Sequence, residues 1–299
     1  EVVFKFENSS GIKTRFYASD DWVTSDLATE AGKAAIADAG LTPEDIDLVI
    51  VGTDTPDYIT PATSVVTQYK LGCVNAGTWD IGCACASFPT GLTQAAGLIA
   101  TNPNLKYILV IGAYLMHKLA DYKHDVSAFF YGDGAGAAVI GASDKPGFVS
   151  SSIKADGFYH KHWGIYSGGT YEPATVESVE AGRTKVRLLT PFPATVNHEG
   201  WPARVRECAA NGGFELSEID HIIFTQVNLN SIKLVMENLG LPVEKAHYVM
   251  DKWGYMGSAC LPIAFHDAIK LGKITSGMRV VFCGSGVGYN QAATCFIMP

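Results

Sequence analysis

The sequence contains an internal repeat, and this repeat constrains the fold more than any other feature of the chain. Residues 43–53 (PEDIDLVIVGT) match residues 216–226 (LSEIDHIIFTQ), because each places a short polar turn before an apolar, β-branched run. Such a run is typical of a strand buried in a parallel sheet. The repeat therefore predicts two similar halves, which we place at residues 1–147 and 148–299.

Further positions keep the register of the repeat. Cys85 falls opposite Ser258 at the same offset that relates the two matching segments, and Gly112 falls opposite Gly284 to within one residue. Strand-like runs alternate with helical patterns in both halves, which predicts an α/β fold with mainly parallel sheets covered by helices. The strand ends of two such halves are expected to face a shared crevice, where ligand sites usually lie.

One stretch in the first half has the character of a nucleophile site. Residues 80–100 (DIGCACASFPTGLTQAAGLIA) run from the end of a strand through small residues into an apolar helix. Cys85 would lie at the first turn of that helix, where the helix dipole favours a thiolate and can lower a thiol pKa to roughly 3.5–7.5. The competing interpretation is an inert cysteine, since cysteine is among the most buried residue types.

Composition excludes several classes of protein. The 299 residues carry a formal net charge of −8 and no block of Lys or Arg, so neither nucleic acid nor an anionic membrane is an expected partner. The sequence has no apolar run long enough to span a bilayer, and it opens without a signal-peptide pattern. Seven cysteines, an odd number, lie mostly in apolar runs, which favours reduced thiols and a cytoplasmic protein.

Two other motifs resemble ligand-binding patterns, but the residues around them do not support a metal site or a nucleotide site. Cys83 and Cys85 form a C-x-C pair without a second pair at zinc spacing, so no metal site is expected. Residues 132–136 (GDGAG) resemble a nucleotide-binding turn, but a strand-like run follows them instead of a helix. We interpret them as a tight turn between strands.

Eight segments taken in order resemble one family. They are SSGIKTR, SDLATEAGKAAIADAGL, DIDLVIVGT, DIGCACASF, YGDGAGAAVIG, IDHIIFTQVN, WGYMGSACLP and GSGVGYNQA. This set is similar to the ketoacyl-acyl-carrier-protein synthase III branch of the thiolase-like enzymes. The resemblance implies a five-layered αβαβα fold made of two repeated halves. It also implies a homodimer in which the strand at residues 107–113 or a neighbour continues a sheet across the two-fold axis.

The resemblance implies an acyltransferase with Cys85 as its nucleophile. Such enzymes take an acyl group from an acyl-CoA or acyl-carrier-protein thioester, with no permanently bound cofactor, and hold it on the cysteine. A histidine and an asparagine then assist the decarboxylation of a malonyl thioester. Here Thr225 occupies the histidine position and Tyr255 the asparagine position.

The expected oxyanion hole depends on a glycine turn. The family has three successive glycines where this sequence reads Gly286-Val287-Gly288. By resemblance, the backbone amides of Val287 and Cys85 would hold the oxyanion, and a backbone amide survives the change to valine if the turn keeps its conformation.

Several substrate-binding positions follow from the same resemblance. Asn228 keeps the family's asparagine, whereas Asn230 replaces an arginine expected to contact the pantetheine phosphates. Thr60 stands where a bulky residue closes the acyl pocket of the partner subunit, which implies a longer or more polar acyl group. Asn290, just after the glycine turn, is a further candidate. The chain also begins after the position of the family's first strand.

Two functions remain open from the sequence. The first is an acyltransferase or condensing enzyme in which Cys85 becomes acylated but malonyl decarboxylation is impaired, because Thr225 cannot act as a base. The second is a catalytically impaired partner subunit that keeps the fold. The histidines at positions 160, 162 and 247 are expected to be solvated or structural rather than substitute bases.

Overall fold

The computed structural model describes residues 2–123, 129–193 and 195–299. The helices, labelled α1 to α9 in chain order, are Val2–Ser10, Thr24–Asp38, Thr63–Leu71, Ser87–Thr101, Val176–Glu180, Thr195–Gly212, Leu229–Leu239, Met250–Trp253 and Cys260–Lys270. The strands, labelled β1 to β11, are Leu48–Gly52, Gly77–Ile81, Tyr107–Leu115, Asp133–Gly141, Phe148–Ala155, Trp163–Gly164, Arg187–Leu188, His221–Phe224, Ala246–His247, Arg279–Gly286 and Asn290–Ile297. Short 3-10 turns join several of these elements.

Two sheets form the framework, and they repeat one topology. The first sheet has the order β2-β1-β3-β4, and the second has the order β5-β11-β10-β8-β9. In each sheet, three parallel strands are followed by an antiparallel one: β4 runs against β3, and β11 runs against β10. The repeat seen in the sequence is therefore a repeat of structure, with β5 added to the edge of the second sheet.

Helices fill the space between the sheets and cover both outer faces. α4 contacts strands of both sheets, and α9 packs on β3 and β4 on one side and on β8 and β9 on the other. α2 and α3 lie on the outer face of the first sheet, and α6 lies on the outer face of the second with α7 packed against it. Six successive residues at the start of α4, from Ser87 to Leu92, are buried, as a helix enclosed by two sheets requires. The five-layered αβαβα prediction is confirmed.

Two glycines hold the halves together by close packing. A Cβ atom on Gly112 in β3 would lie 2.2 Å from the carbonyl oxygen of Ser258, and one on Gly284 in β10 would lie 2.8 Å from that of Cys85. Each half thus places a glycine of its central strand against the 3-10 turn that precedes the inner helix of the other half. This reciprocal contact fixes the turn that carries Cys85.

The glycine run at residues 132–136 is not a turn between strands, as the sequence suggested. Most of it lies inside β4, which runs without interruption from Asp133 to Gly141. A Cβ atom on Gly136 would lie 2.8 Å from the Cβ atom of Pro262 in α9. The glycines therefore let an inner helix approach the strand closely, a packing requirement that the sequence motif did not distinguish from a turn.

Other expectations from the sequence need correction or remain predictions. Helix α1 lies at the start of the chain, where the sequence analysis above predicts no element. β3, at Tyr107–Leu115, is an interior strand paired with β1 and β4, so it cannot extend the sheet to a second subunit. Within the described residues, the edges of the first sheet are β2 and β4. The division at residues 147 and 148 stays a prediction.

Candidate active site

Cys85 lies in a 3-10 turn, Ala84–Ala86, between β2 and helix α4. Ala84 has φ 47°, a left-handed conformation that is costly for a residue with a side chain. The turn is held from the second half, because a Cβ atom on Gly286 would lie 2.0 Å from the carbonyl oxygen of Cys83. A strained, tightly packed turn at the N-terminal end of a helix fixes the position of the Cys85 side chain.

The direct partner of the Cys85 sulfur is Tyr255. The Sγ atom of Cys85 and the Oη atom of Tyr255 are 2.6 Å apart, and the two residues are only 3% and 8% exposed. The Tyr255 backbone is anchored because its carbonyl accepts a hydrogen bond from the amide of Gly132 at 2.8 Å. Its ring packs on those of Tyr114 and Phe130. The structure thus brings two residues predicted from the sequence into contact, because the Tyr255 hydroxyl lies against the Cys85 sulfur.

The environment of Cys85 opposes the thiolate. Burial raises the pKa of Cys85 well above its ordinary value, with Cys260 and Asp54 adding in the same direction, while the Tyr255 hydrogen bond acts against the shift. Burial also raises the pKa of Tyr255 well above its usual range, so its hydroxyl stays protonated. The expectation of a lowered thiol pKa was therefore wrong: desolvation outweighs the helix terminus at this site.

Thr225 lies at the end of β8, on the same side of the cavity as Tyr255. Its hydroxyl oxygen accepts a hydrogen bond from the Ser285 amide at 3.2 Å, and its own amide donates to the carbonyl of Cys283 at 3.2 Å. The side chain is buried yet lines the cavity. Among the described residues, no acceptor is found for the hydrogen of the Thr225 hydroxyl. This hydroxyl can therefore donate one hydrogen bond to a bound molecule.

Val287 lies in the turn between β10 and β11 and lines the cavity with Thr225 and Tyr255. The contact of Gly286 with Cys83 brings this turn against the turn of Cys85. The arrangement agrees with an oxyanion hole formed by the Val287 and Cys85 amides, which stays a prediction.

The other predicted binding residues divide into two groups. Asn228 and Asn230 line the cavity at the start of α7, where the Asn228 side chain caps the helix by accepting from the Ser231 amide at 3.0 Å. Thr60 is exposed in the loop before α3, and Asn290 begins β11, paired with Gly286. Neither of these two lines the cavity.

A cavity of about 700 Å³ connects five of the predicted site residues, Thr225, Asn228, Asn230, Tyr255 and Val287. Its wall is rich in aromatic side chains, which the sequence analysis did not assign to the site. They are Tyr114, Phe130, Tyr131, Trp163, Phe192 and Tyr289. Trp163 and Phe192 come from the long segment between β5 and α6, and the other four come from other parts of the chain. Tyr255 lines this cavity, and Cys85 lies directly behind its hydroxyl group.

A polar group faces the aromatic wall. The Ser285 hydroxyl donates to the Oδ1 atom of Asn197 at 2.8 Å, and the Tyr289 hydroxyl contacts both residues. These three side chains come from β10, α6 and the turn after Val287, so sequence spacing gives no sign of the cluster. It supplies neutral donors and acceptors for a polar portion of a ligand.

Asp54 is the acidic side chain in the cavity wall. It follows β1 at its carboxyl end, and its Oδ1 atom accepts from the Ser258 hydroxyl at 3.3 Å. Burial raises the pKa of Asp54 to about 6, partly offset by the hydrogen bonds it accepts. The sequence analysis missed this residue.

The histidines do not reach the nucleophile. His247 pairs with Asp267 at 2.7 Å, and the Nδ1 atom of His160 contacts the carbonyl of Gly157 at 3.0 Å. His162 stacks on Phe192 behind the cavity wall. In the part of the chain that the structure describes, no histidine hydrogen-bonds to Cys85, and no group of three potential metal ligands occurs. These observations agree with structural roles.

The two repeated halves, the five layers and the cysteine turn at their junction define a thiolase-like protein. Family models agree: residues 79–157 match 3-oxoacyl-(acyl-carrier-protein) synthase III, and residues 209–297 match the C-terminal part of the same family. A curated relative, beta-ketoacyl-(acyl-carrier-protein) synthase III of Clostridioides difficile, is 34% identical over 95% of this chain and 87% of its own length. The chain belongs to the ketoacyl-acyl-carrier-protein synthase III family.

Solved structures place the fold in the same group. The synthase III of Thermus thermophilus has a TM-score of 0.88 at 28% identity, covering 98% of this chain and 90% of its own. The priming β-ketosynthase of the R1128 polyketide pathway has a TM-score of 0.87 at 26% identity, covering 98% and 87%. These relatives are similar in sequence and fold over nearly the whole chain.

Proposed function

We propose that this protein is an acyltransferase that holds an acyl group as a thioester on Cys85 and passes it to a second substrate. The observation that carries the proposal is the position of the Cys85 sulfur. It lies 2.6 Å from the Tyr255 hydroxyl, at the inner end of a cavity of about 700 Å³. The acyl donor is an acyl-CoA or an acyl-carrier-protein thioester, as the names of its relatives suggest. No bound cofactor is required.

In the acylation step, the Cys85 sulfur forms a bond to the thioester carbonyl carbon and the bond to the donor's sulfur breaks. The donor leaves as a thiol and takes up the proton that Cys85 lost. Tyr255 supports this step by donating its hydroxyl hydrogen to the sulfur while negative charge develops there. Because Tyr255 stands between the cavity and Cys85, its side chain has to shift to admit the thioester while its hydroxyl stays within hydrogen-bond reach of the sulfur.

The second half-reaction differs from that of the family. Stabilising the enolate formed by malonyl decarboxylation draws on two hydrogen-bond donors, and loss of one such donor costs roughly 100- to 1000-fold in rate. Thr225 offers one neutral hydroxyl, and Tyr255 is engaged with the sulfur. We therefore infer transfer to an acceptor that is already nucleophilic, such as an alcohol, an amine or an acidic carbon.

We propose that the active form is a homodimer. β2 is an edge strand of the first sheet, and its Trp79 is 36% exposed; helix α3 packs on this strand, and its Tyr69 is 83% exposed. An apolar strand edge of this kind is suited to an isologous contact that continues the sheet. Tyr69→Glu is expected to produce monomers in sedimentation experiments, whereas Tyr171→Glu, with 82% exposure elsewhere, is not. A wild-type monomer at micromolar concentration would contradict the dimer.

The proposed substrates and free thiols suit the cytoplasm. All seven cysteines are free, and among the described residues no helix is long and apolar enough to cross a membrane.

The direct test is mass spectrometry of the protein after incubation with acetyl-, octanoyl-, benzoyl- and malonyl-CoA. We expect the mass of one acyl group on wild type and on Cys83→Ala, and none on Cys85→Ala. Release of carbon dioxide from malonyl-CoA should be slow. If no thioester acylates Cys85, the proposal fails and the chain is a catalytically impaired partner subunit.

A further inference from the structure

Asp54 is positioned by the nucleophile turn itself. Ser258 is the counterpart of Cys85 in the repeat, and its hydroxyl lies 3.0 Å from the carbonyl oxygen of Ala84 and 3.3 Å from the Oδ1 atom of Asp54. The serine therefore links the carboxyl group to the residue before the nucleophile. Asp54 is half-buried, and it lines the cavity that Tyr255 closes off from Cys85. Asp54 and the Tyr255 hydroxyl that contacts the Cys85 sulfur therefore line one cavity.

The groups around Asp54 carry no charge near neutral pH. The titratable side chains that interact with it electrostatically come from four separate segments of the chain. They are Cys85, Tyr114, Tyr131, Tyr255 and Cys260. Burial raises the pKa of each, so all five stay protonated between pH 5 and pH 8. Asp54 is thus the member of this cluster that changes charge in that interval.

We propose that Asp54 is the proton acceptor for the second substrate, a catalytic residue that takes the place of the histidine missing at position 225. The proposal rests on the acyltransferase function inferred above. It predicts that the second substrate, which receives the acyl group, is a molecule that must lose a proton as it reacts, such as an alcohol.

The oxygen of the alcohol forms a bond to the carbonyl carbon of the Cys85 thioester, and the Asp54 carboxylate takes the hydroxyl proton. The tetrahedral intermediate then breaks the carbon–sulfur bond and releases an ester. The departing Cys85 sulfur is reprotonated through the Tyr255 hydroxyl, and Asp54 returns its proton by the same route. Nothing is oxidised or reduced, and both side chains end as they began.

The other polar groups of the cavity keep their protons or have partners of their own, and the Nε2 atom of His198 contacts the Ser231 hydroxyl at 3.0 Å. The hydroxyl groups of Thr225 and Tyr255 keep their protons at neutral pH, and burial raises the pKa of Tyr255 well above its ordinary value. Asn197, Ser285 and Tyr289 bond to one another. A carboxylate whose proton affinity is matched to the working pH is the efficient general base.

The test compares two nucleophiles on the octanoylated enzyme. Methanol needs a base to attack a thioester, whereas hydroxylamine needs little help. For Asp54→Asn we expect normal acylation of Cys85 by octanoyl-CoA, nearly normal reaction with hydroxylamine, and formation of the methyl ester slowed on the order of 100-fold or more. Asp57→Asn, in the same loop but outside the cavity wall, is the matched control and should behave as wild type.

The pH profile separates a catalytic role from a structural one. Methyl ester formation by wild type should rise with pH through about 6 and then level off, and this rise should be absent in Asp54→Asn. Asp54→Glu should restore part of the rate with a shifted midpoint. An equal loss with both nucleophiles, or a wild-type rate that does not rise through this interval, overturns the assignment to Asp54. Failure of wild type to become acylated at all overturns the acyltransferase function first, and the proposal with it.

Discussion

Replacing Asp54 by asparagine is expected to stabilise the protein at neutral pH and to remove part of the pH dependence of its stability. The carboxyl group has an ordinary pKa of 3.8, and burial raises it to about 6 in the folded protein. The folded state therefore holds the proton more tightly than the unfolded chain does. The stability that this group contributes is fully present below about pH 4 and is lost as the pH rises through about 6.

The magnitude follows from the size of the shift. A difference of about two pKa units corresponds to about 3 kcal/mol, at roughly 1.4 kcal/mol per unit, and part of this falls between pH 5 and pH 8. Over that interval the unfolding free energy of wild type should fall by about 1.4 kcal/mol relative to that of Asp54→Asn. The figure is an upper limit, because the part of Asp54 that faces the cavity keeps some contact with water.

Urea unfolding of both proteins at pH 5, 6, 7 and 8 measures this difference directly. The comparison uses only the change of the unfolding free energy with pH. Any effect of the substituted amide on packing that does not depend on pH therefore cancels. Asp267→Asn is an informative control, because hydrogen bonds to His247 and Lys252 hold the pKa of Asp267 below its ordinary value of 3.8, so this carboxylate is ionised in both states above pH 5 and its own titration should add no pH dependence between pH 5 and pH 8. A gap between wild type and Asp54→Asn that stays constant from pH 5 to pH 8 would refute the argument.

Three further predictions concern the nucleophile and its surroundings. Because burial raises the Cys85 pKa, alkylation of Cys85 by iodoacetamide should be slow at pH 7 and still increase above pH 9, and a rate that levels off below pH 8 would contradict this. The double variant Thr225→His with Tyr255→Asn supplies both of the family's hydrogen-bond donors, so it should raise carbon dioxide release from malonyl-CoA by at least 100-fold. An unchanged rate would show that other residues limit the step. Gly284→Ala should lower the unfolding free energy by about 1–3 kcal/mol in urea titrations, whereas Gly82→Ala, where a Cβ atom meets nothing within 4 Å, should change it by less than about 0.5 kcal/mol.

The features that could be predicted from the sequence are those that the chain encodes locally and repeats. The strands at Leu48–Gly52 and His221–Phe224 are short apolar runs, and their repetition was enough to predict two similar halves. Cys85, Thr225 and Tyr255 were identified by resemblance, and the structure brings Tyr255 to Cys85 and places Thr225 on the same cavity.

The features that escaped prediction depend on partners far away in the chain. The glycines of β4 read as a turn, because their actual partner, helix α9, follows more than a hundred residues later. Asp54 stands in a polar segment after a strand, where an aspartate is most often solvated. Its burial and its contact with Ser258 come from the second half of the fold. The aromatic wall of the cavity is assembled in the same way from distant segments.

The reversed expectation for the Cys85 thiol shows how two physical effects compete at this site. A helix terminus favours a nearby negative charge by roughly 0.3–1 kcal/mol, and by about 2 kcal/mol at best. Removing a charge from water costs several kcal/mol even after the protein relaxes. Cys85 is only 3% exposed, so the cost of removing its charge from water exceeds the gain from the helix terminus. The side chain therefore stays a thiol. A thiol has to lose its proton as it attacks, and in the acylation step the departing thiol of the donor takes that proton up. The proposed role of Asp54 is therefore confined to the second step, so Asp54→Asn should slow transfer of the acyl group to an alcohol without slowing acylation of Cys85.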